Sequence, residues 1–138
     1  MDKAIEQYTR GFEADWRDYY PGVNAVTLMT IKEPPDPRRE ELRPVVVYSV
    51  ERRIAAKEGG YWLYATRLEL AVLAKDQALA ETSFVEAKRA VTEDWQGPST
   101  ADNVAAILEA FKRHGGAPSW AINLQGRLRD LRPTRVTE

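Results

Sequence analysis

Residues 61–91 read YWLYATRLELAVLAKDQALAETSFVEAKRAV, and this stretch decides the fold. Its first half places apolar residues on almost every side (Trp62, Leu63, Leu68, Leu70, Ala71, Val72, Leu73), which predicts a helix over 61–74 enclosed by neighbours. Lys75-Asp76 then suits a tight connection, with Asp76 as the next N-cap. Beyond it Ala80, Phe84, Ala87 and Val91 recur at steps of four, three and four, the spacing of one helical face. Two antiparallel helices joined by a short turn follow from these residues alone.

Working outward, Ile5, Tyr8, Phe12 and Trp16 mark one face of a helix over 3–18. Pro21-Gly22 interrupts, and VNAVTLMTIK (23–32) is apolar enough for a buried element whose type the pattern leaves open. Pro34, Pro35 and Pro37 make 33–43 an irregular surface connection. Pro44 suits the first position of a helix that Gly59-Gly60 stops, although Val45, Val46 and Val47 prefer strands. Ser99 to Asp102 resembles a capping box ahead of the stripe Val104, Ile107, Leu108 and Phe111, which ends at Gly115-Gly116. Ser119 is placed to cap a last helix carrying Trp120, Leu124, Leu128 and Leu131, with Pro133 ending it. The expected fold is all-α, an antiparallel helix-hairpin stack of about six helices in a single domain over 1–132, with 133–138 frayed.

Composition narrows the function. With 43% hydrophobic residues the 138-residue chain has material for a core. Twenty basic residues stand against 21 acidic ones, and a net charge of -1 gives no global field for phosphate backbones, so nucleic acid is disfavoured. The local basic clusters, Arg38-Arg39 and Arg127, Arg129, Arg132 and Arg135, read more readily as solvated helix ends than as binding sites. The absence of cysteine excludes disulfides and thiolate metal sites and suits a reducing compartment. No apolar run approaches the roughly 20 residues of a spanning helix, and the charged start MDKAIEQ is no signal peptide. A cytoplasmic protein without a membrane partner is expected.

The spacing Ala80-x3-Phe84-x2-Ala87 after Lys75-Asp76 resembles the second helix and turn of a tetratricopeptide repeat. Leu68 stands where the first helix of such a repeat usually has a small residue, and Thr92 where a closing proline is common. Three blocks carry a more specific likeness: Tyr8-x2-Gly11-Phe12-Glu13-Ala14, Tyr20-Pro21-Gly22-Val23-Asn24-Ala25-Val26-Thr27-Leu28, and Leu68-Glu69-Leu70-Ala71-Val72-Leu73-Ala74. They resemble the tetratricopeptide-like region of the apoptosis signal-regulating kinases of the MAP kinase kinase kinase class, labelled a TRAF-binding domain, and its bacterial relatives. The likeness covers about residues 5–113. It implies a superhelix of helical repeats serving as a regulatory scaffold in stress or defence signalling, with no TRAF-contacting residue carried over. It also implies that this repeat part accompanies a separate sensor domain in larger proteins.

Candidate chemistry is sparse. His114, the sole histidine, sits where a cation neutralises a helix C-terminus, and capping is favoured over catalysis. No G-x-S-x-G elbow surrounds Ser49, Ser83, Ser99 or Ser119, and no glycine-rich phosphate loop is present. The acidic clusters Glu13, Asp15 and Asp18, Glu40-Glu41 and Glu93-Asp94 read as solvated surface. No catalytic residue, metal site or cofactor is expected, and a protein or peptide partner is. In a repeat array the first helix of each pair lines the groove, which puts Trp62, Glu69 and Val72 there. Asn24 is added because an amide within an apolar run suits a peptide backbone, against the plainer reading that it buttresses the Pro21-Gly22 turn. The alternative function is a nucleotide- or small-ligand-responsive regulatory domain, for which Arg52, Arg53 and Arg67 would form an anion patch. With about three helix pairs, exposed apolar surface at an end pair leaves self-association open.

Overall fold

Every regular element of the computed structural model, which describes residues 1–134, is a helix: α1 (Asp2–Ala14), α2 (Tyr19–Ile31), α3 (Arg39–Ala55), α4 (Tyr61–Leu73), α5 (Gln77–Ala90), α6 (Gln96–Arg113) and α7 (Ser119–Arg129). The expected all-α class and hairpin packing hold, with seven helices among the described residues. The element left open at 23–32 is helix. The chain groups into two compact units, Met1–Glu58 and Gly59–Glu138.

In the first unit α2 packs against both α1 and α3. Asp18 starts α2, its carboxylate accepting a hydrogen bond from the Tyr20 amide. Pro21 and Gly22 therefore do not interrupt but lie in the first turn, where proline is tolerated because its missing N–H would have no partner there. Gly22 lets three helices meet: a Cβ on it would lie 2.7 Å from Val46 and 2.8 Å from Phe12. Ile5, Ala25 and Met29 form a core cluster covered by Tyr8, Leu28 and Leu42. α1 stops at Ala14, so Trp16 leaves the predicted stripe and is half exposed.

The presumed linker hides a helix start. Asp36 is buried, its carboxylate accepts from the Arg38 amide and guanidinium, and its carbonyl accepts from the Arg39 amide. Asp36-Pro37 thus acts as cap and first residue of the turn leading into α3, and Pro44 falls inside the helix. Arg38 also reaches Glu6 on α1 at 2.8 Å, and beside these carboxylates its guanidinium is held charged while Asp36 is held below the usual carboxylate range. The valines follow packing over propensity: Val46 and Val50 are fully buried in a helix.

α3 ends before Gly59-Gly60. Lys57 takes a left-handed φ of 56°, and the Glu58 and Lys57 amides return to the Arg53 and Ile54 carbonyls. α4 ends identically: Lys75 has φ 56°, with Asp76 bonding Ala71 and Lys75 bonding Val72.

In the second unit α4 pairs with α5, α6 with α7, and α4 also packs on α6. Asp76 caps α5 through the Leu79 amide, as expected, and Ala80, Phe84, Ala87 and Val91 are all buried. α6 begins at Gln96, not near Ser99. The Gln96 side chain accepts from the Thr92 and Glu93 amides, closing the preceding turn, and Pro98 sits harmlessly in the first turn. Gly97 admits α7, because a Cβ there would lie 2.5 Å from the Leu128 carbonyl oxygen. Ser119 is the first residue of α7 rather than its cap, and the helix ends at Arg129, ahead of Pro133. Of the expected frayed tail 133–138, residues 135–138 lie outside the described residues.

Candidate functional site

The second unit exposes one aromatic pair. Trp62 leaves the core face of α4 and stands 39% exposed; Trp95, at the N-terminus of α6, is 59% exposed. Their ring centroids lie 5.7 Å apart. Tyr61 supports them from below, its ring edge-on to Trp62 at 5.1 Å. The Tyr61 hydroxyl shares a hydrogen bond of 2.7 Å with Thr100 and donates to the Gln96 carbonyl, so the base of the pair is fixed to α6. Burial pushes the Tyr61 phenol up, opposed by the Thr100 hydrogen bond. An exposed tryptophan pair on a rigid base is the composition of an interface anchor.

Glu69, two turns beyond Trp62 on α4, is half-buried and accepts a hydrogen bond from Asn103 of α6. Removal from water raises its carboxyl to about 7, and the Asn103 contact opposes only part of that shift. Val72 is fully buried and belongs to the core; it presents nothing to a ligand. Of the three expected groove residues on α4, Trp62 alone is well exposed. Sequence reasoning missed Trp95 and Asn103. The signal for Trp95 was its setting: flanked by Glu93, Asp94, Gln96 and Gly97, it has no apolar partner that would draw it into a core.

Asn24, in the first unit, donates from its side-chain amide to the Tyr20 carbonyl at 2.9 Å, buttressing the first turn of α2. The arginines proposed as an anion patch fall in different units. Arg67 is buried in the second unit, where it donates to Ser83 at 2.8 Å and pairs with Glu86 at 3.0 Å, tying α4 to α5. Arg52 and Arg53 line a cleft of about 500 Å³ in the first unit, with Asp15, Trp16, Arg17, Ser49, Ala56 and Glu58. Two of the cleft's arginines are committed. Arg17 holds Asp15 at 3.1 Å, keeping that carboxyl below its usual range, while Arg53 donates to the Arg17 carbonyl and to Glu58. Arg53 also lies over the Tyr19 ring, 5.8 Å from its centroid.

The C-terminal basic cluster is tied down within its unit. Arg127 pairs with Glu81, Arg129 with Asp102, and Arg132 donates to the Arg129 and Leu131 carbonyls; Arg135 lies outside the described residues. Among the described residues no three histidine, aspartate or glutamate side chains converge to hold a metal ion, and no helix is long and apolar enough to cross a membrane. His114 is the exposed residue that closes α6.

A family model matches the chain over residues 1–122, that of the MAP3K TRAFs-binding domain. The chain belongs to the MAP3K TRAFs-binding domain family. The match runs from α1 into α7 and so includes the first unit with its cleft and the part of the second that holds the Trp62–Trp95 pair. It reaches beyond the span of about 5–113 on which the sequence likeness rested. Membership in the MAP3K TRAFs-binding domain family, whose name states a protein-binding role, makes a protein partner the expected one. No curated protein and no solved structure gives a significant match.

Proposed function

We propose that this chain is a non-catalytic protein-recognition module whose partner docks on the Trp62–Trp95 pair. The observation that carries the reading is two large indole rings in mutual contact and open to solvent on a helical unit whose other apolar side chains are largely internal. Burying such rings against a partner removes apolar area worth about 25 cal/mol per Å² from water, and the buried Tyr61 base limits the ordering cost. Trp62 and Trp95 are the anchors; Glu93, beside Trp95 in sequence, supplies rim charge that favours a basic partner edge and speeds encounter.

The finer reading is a tetratricopeptide-like regulatory scaffold of bacterial stress or defence signalling, working in the cytoplasm. It is supported by the likeness of the three sequence blocks, by the α4–α5 hairpin and by the family's protein-binding description. The reading of recognition without turnover is supported by the place of the one histidine at the end of α6 and by the pairing of Glu81 with Arg127 and of Asp102 with Arg129.

The test is an affinity capture from native lysate, comparing wild type with Trp62→Ala plus Trp95→Ala after circular dichroism has shown both to be equally helical. The double variant is expected to lose the specific partners. Retention of every one of them would refute the assignment of this surface.

A further inference from the structure

The cleft of the first unit plays no part in recognition through Trp62 and Trp95, yet it has the parts of a ligand site. Ser49 lines it, 1% exposed, and its hydroxyl has no hydrogen-bond partner among the described residues. A helical serine inside a protein ordinarily satisfies its hydroxyl, so an unpartnered one beside a cavity marks a position where a second molecule completes the bonding. Arg52 lines the same cleft one helical turn along α3, with an exposed guanidinium that makes no hydrogen bond or ion pair among the described residues. This contrasts with Arg17 and Arg53, whose pairing with Asp15 and Glu58 neutralises both carboxylates of the lining. The uncompensated charge of the cleft is therefore the single cation of Arg52.

One lining residue is aromatic. Trp16 lines the cleft, half exposed, and its ring lies 6.3 Å from that of Tyr48, which is also exposed. A cavity of about 500 Å³ falls within the usual range for small-molecule sites, roughly 300–1,000 Å³. An indole face takes a flat ring, and a guanidinium fork takes the oxygens of a carboxylate or phosphate.

From this arrangement we propose that the cleft binds a small aromatic oxyanion, its charged group on Arg52 and the Ser49 hydroxyl and its ring against Trp16. Arg53 is held over Tyr19 and to the Arg17 carbonyl, so it shapes the cleft and does not compete for the ligand. The site has no residue in common with the Trp62–Trp95 surface, and either proposal can fail without the other.

Isothermal titration of the full chain with phenyl phosphate, benzoate and inorganic phosphate tests this. Phenyl phosphate is expected to bind at least tenfold more tightly than inorganic phosphate, because only the former has a ring for Trp16. Arg52→Ala is expected to weaken phenyl phosphate at least tenfold, Trp16→Ala and Ser49→Ala several-fold each. Without ligand, Ser49→Ala is expected to keep or raise the melting temperature, since it removes a hydroxyl that bonds nothing. The proposal is overturned if neither aryl anion binds at millimolar concentration, if binding is unchanged in Arg52→Ala and Trp16→Ala, or if Ser49→Ala lowers the melting temperature by several degrees.

Discussion

Glu69 shows how far one side chain departs from its reading in sequence. On spacing alone it belongs beside Trp62 as a solvent-facing groove residue; in the structure it is half-buried against α6, with Asn103 its partner and a carboxyl raised from its usual 4.5 to about 7. An acid whose folded value is raised holds its proton more tightly folded than unfolded, so stability declines as pH rises between 4.5 and 7 and the full cost is present above 7. At about 1.4 kcal/mol per unit the shift corresponds to at most about 3–4 kcal/mol. Glu69→Gln keeps a hydrogen-bonding group for Asn103 and removes the ionisation. Urea unfolding at pH 5 and pH 8 is expected to show the wild type losing stability between the two and the variant changing little. An equal loss in both would place the titrating group elsewhere. Arg67 departs in the same direction: a residue assigned to an anion patch is buried on Ser83 and Glu86, a use that no local pattern reveals because both partners lie on α5.

At the scale of elements, helix ends separate what was legible from what was not. The α4–α5 hairpin could be read in full because every cue is local: an apolar run, an Asp76 cap and a four-three-four stripe. The starts of α2, α3 and α6 were misplaced because each lies close to a proline or glycine that reads as a breaker. Pro21, Pro37 and Pro98 all stand in first turns or just ahead of them, where no amide hydrogen is needed. Lys57 and Lys75 offer a controlled pair, both at φ 56° in the same terminal motif. Glycine at such a position relieves strain by about 1 kcal/mol. Lys75, however, holds its ammonium 4.7 Å from the centroid of the Phe111 ring, a contact worth about 0.5–1 kcal/mol, whereas Lys57 makes none among the described residues. Thermal unfolding is therefore expected to show Lys57→Gly stabilised by about 0.5–1 kcal/mol and Lys75→Gly nearly unchanged; an equal gain in both would remove the Phe111 contact from the account. Gly97 gives the opposite test. Alanine gains helix propensity of about 1 kcal/mol but drives a Cβ against the Leu128 carbonyl, and a net loss of about 1–3 kcal/mol in denaturant unfolding is expected. Unchanged stability would mean that α7 shifts freely on α6.

For the molecule as a whole, amphipathic periodicity specified the class but not the surface. Inward-facing residues repeat and can be counted; the residues left outside are defined only by which helices meet, and these meet through contacts distant in sequence. Trp95 shows the difference. It belongs to no stripe, and its approach to Trp62 depends on Tyr61, Gln96 and Thr100 locking α4 to α6. Membership in the MAP3K TRAFs-binding domain family supplies the expectation of a protein partner, and the exposed indoles supply a place for it. The most direct measurement compares partner capture by wild type, by the Trp62→Ala plus Trp95→Ala variant, and by a Val85→Ala control that trims an exposed apolar side chain on α5. The account predicts at least a tenfold loss of captured partner in the double variant and none in the control. Equal capture by all three proteins, each equally helical, would contradict it.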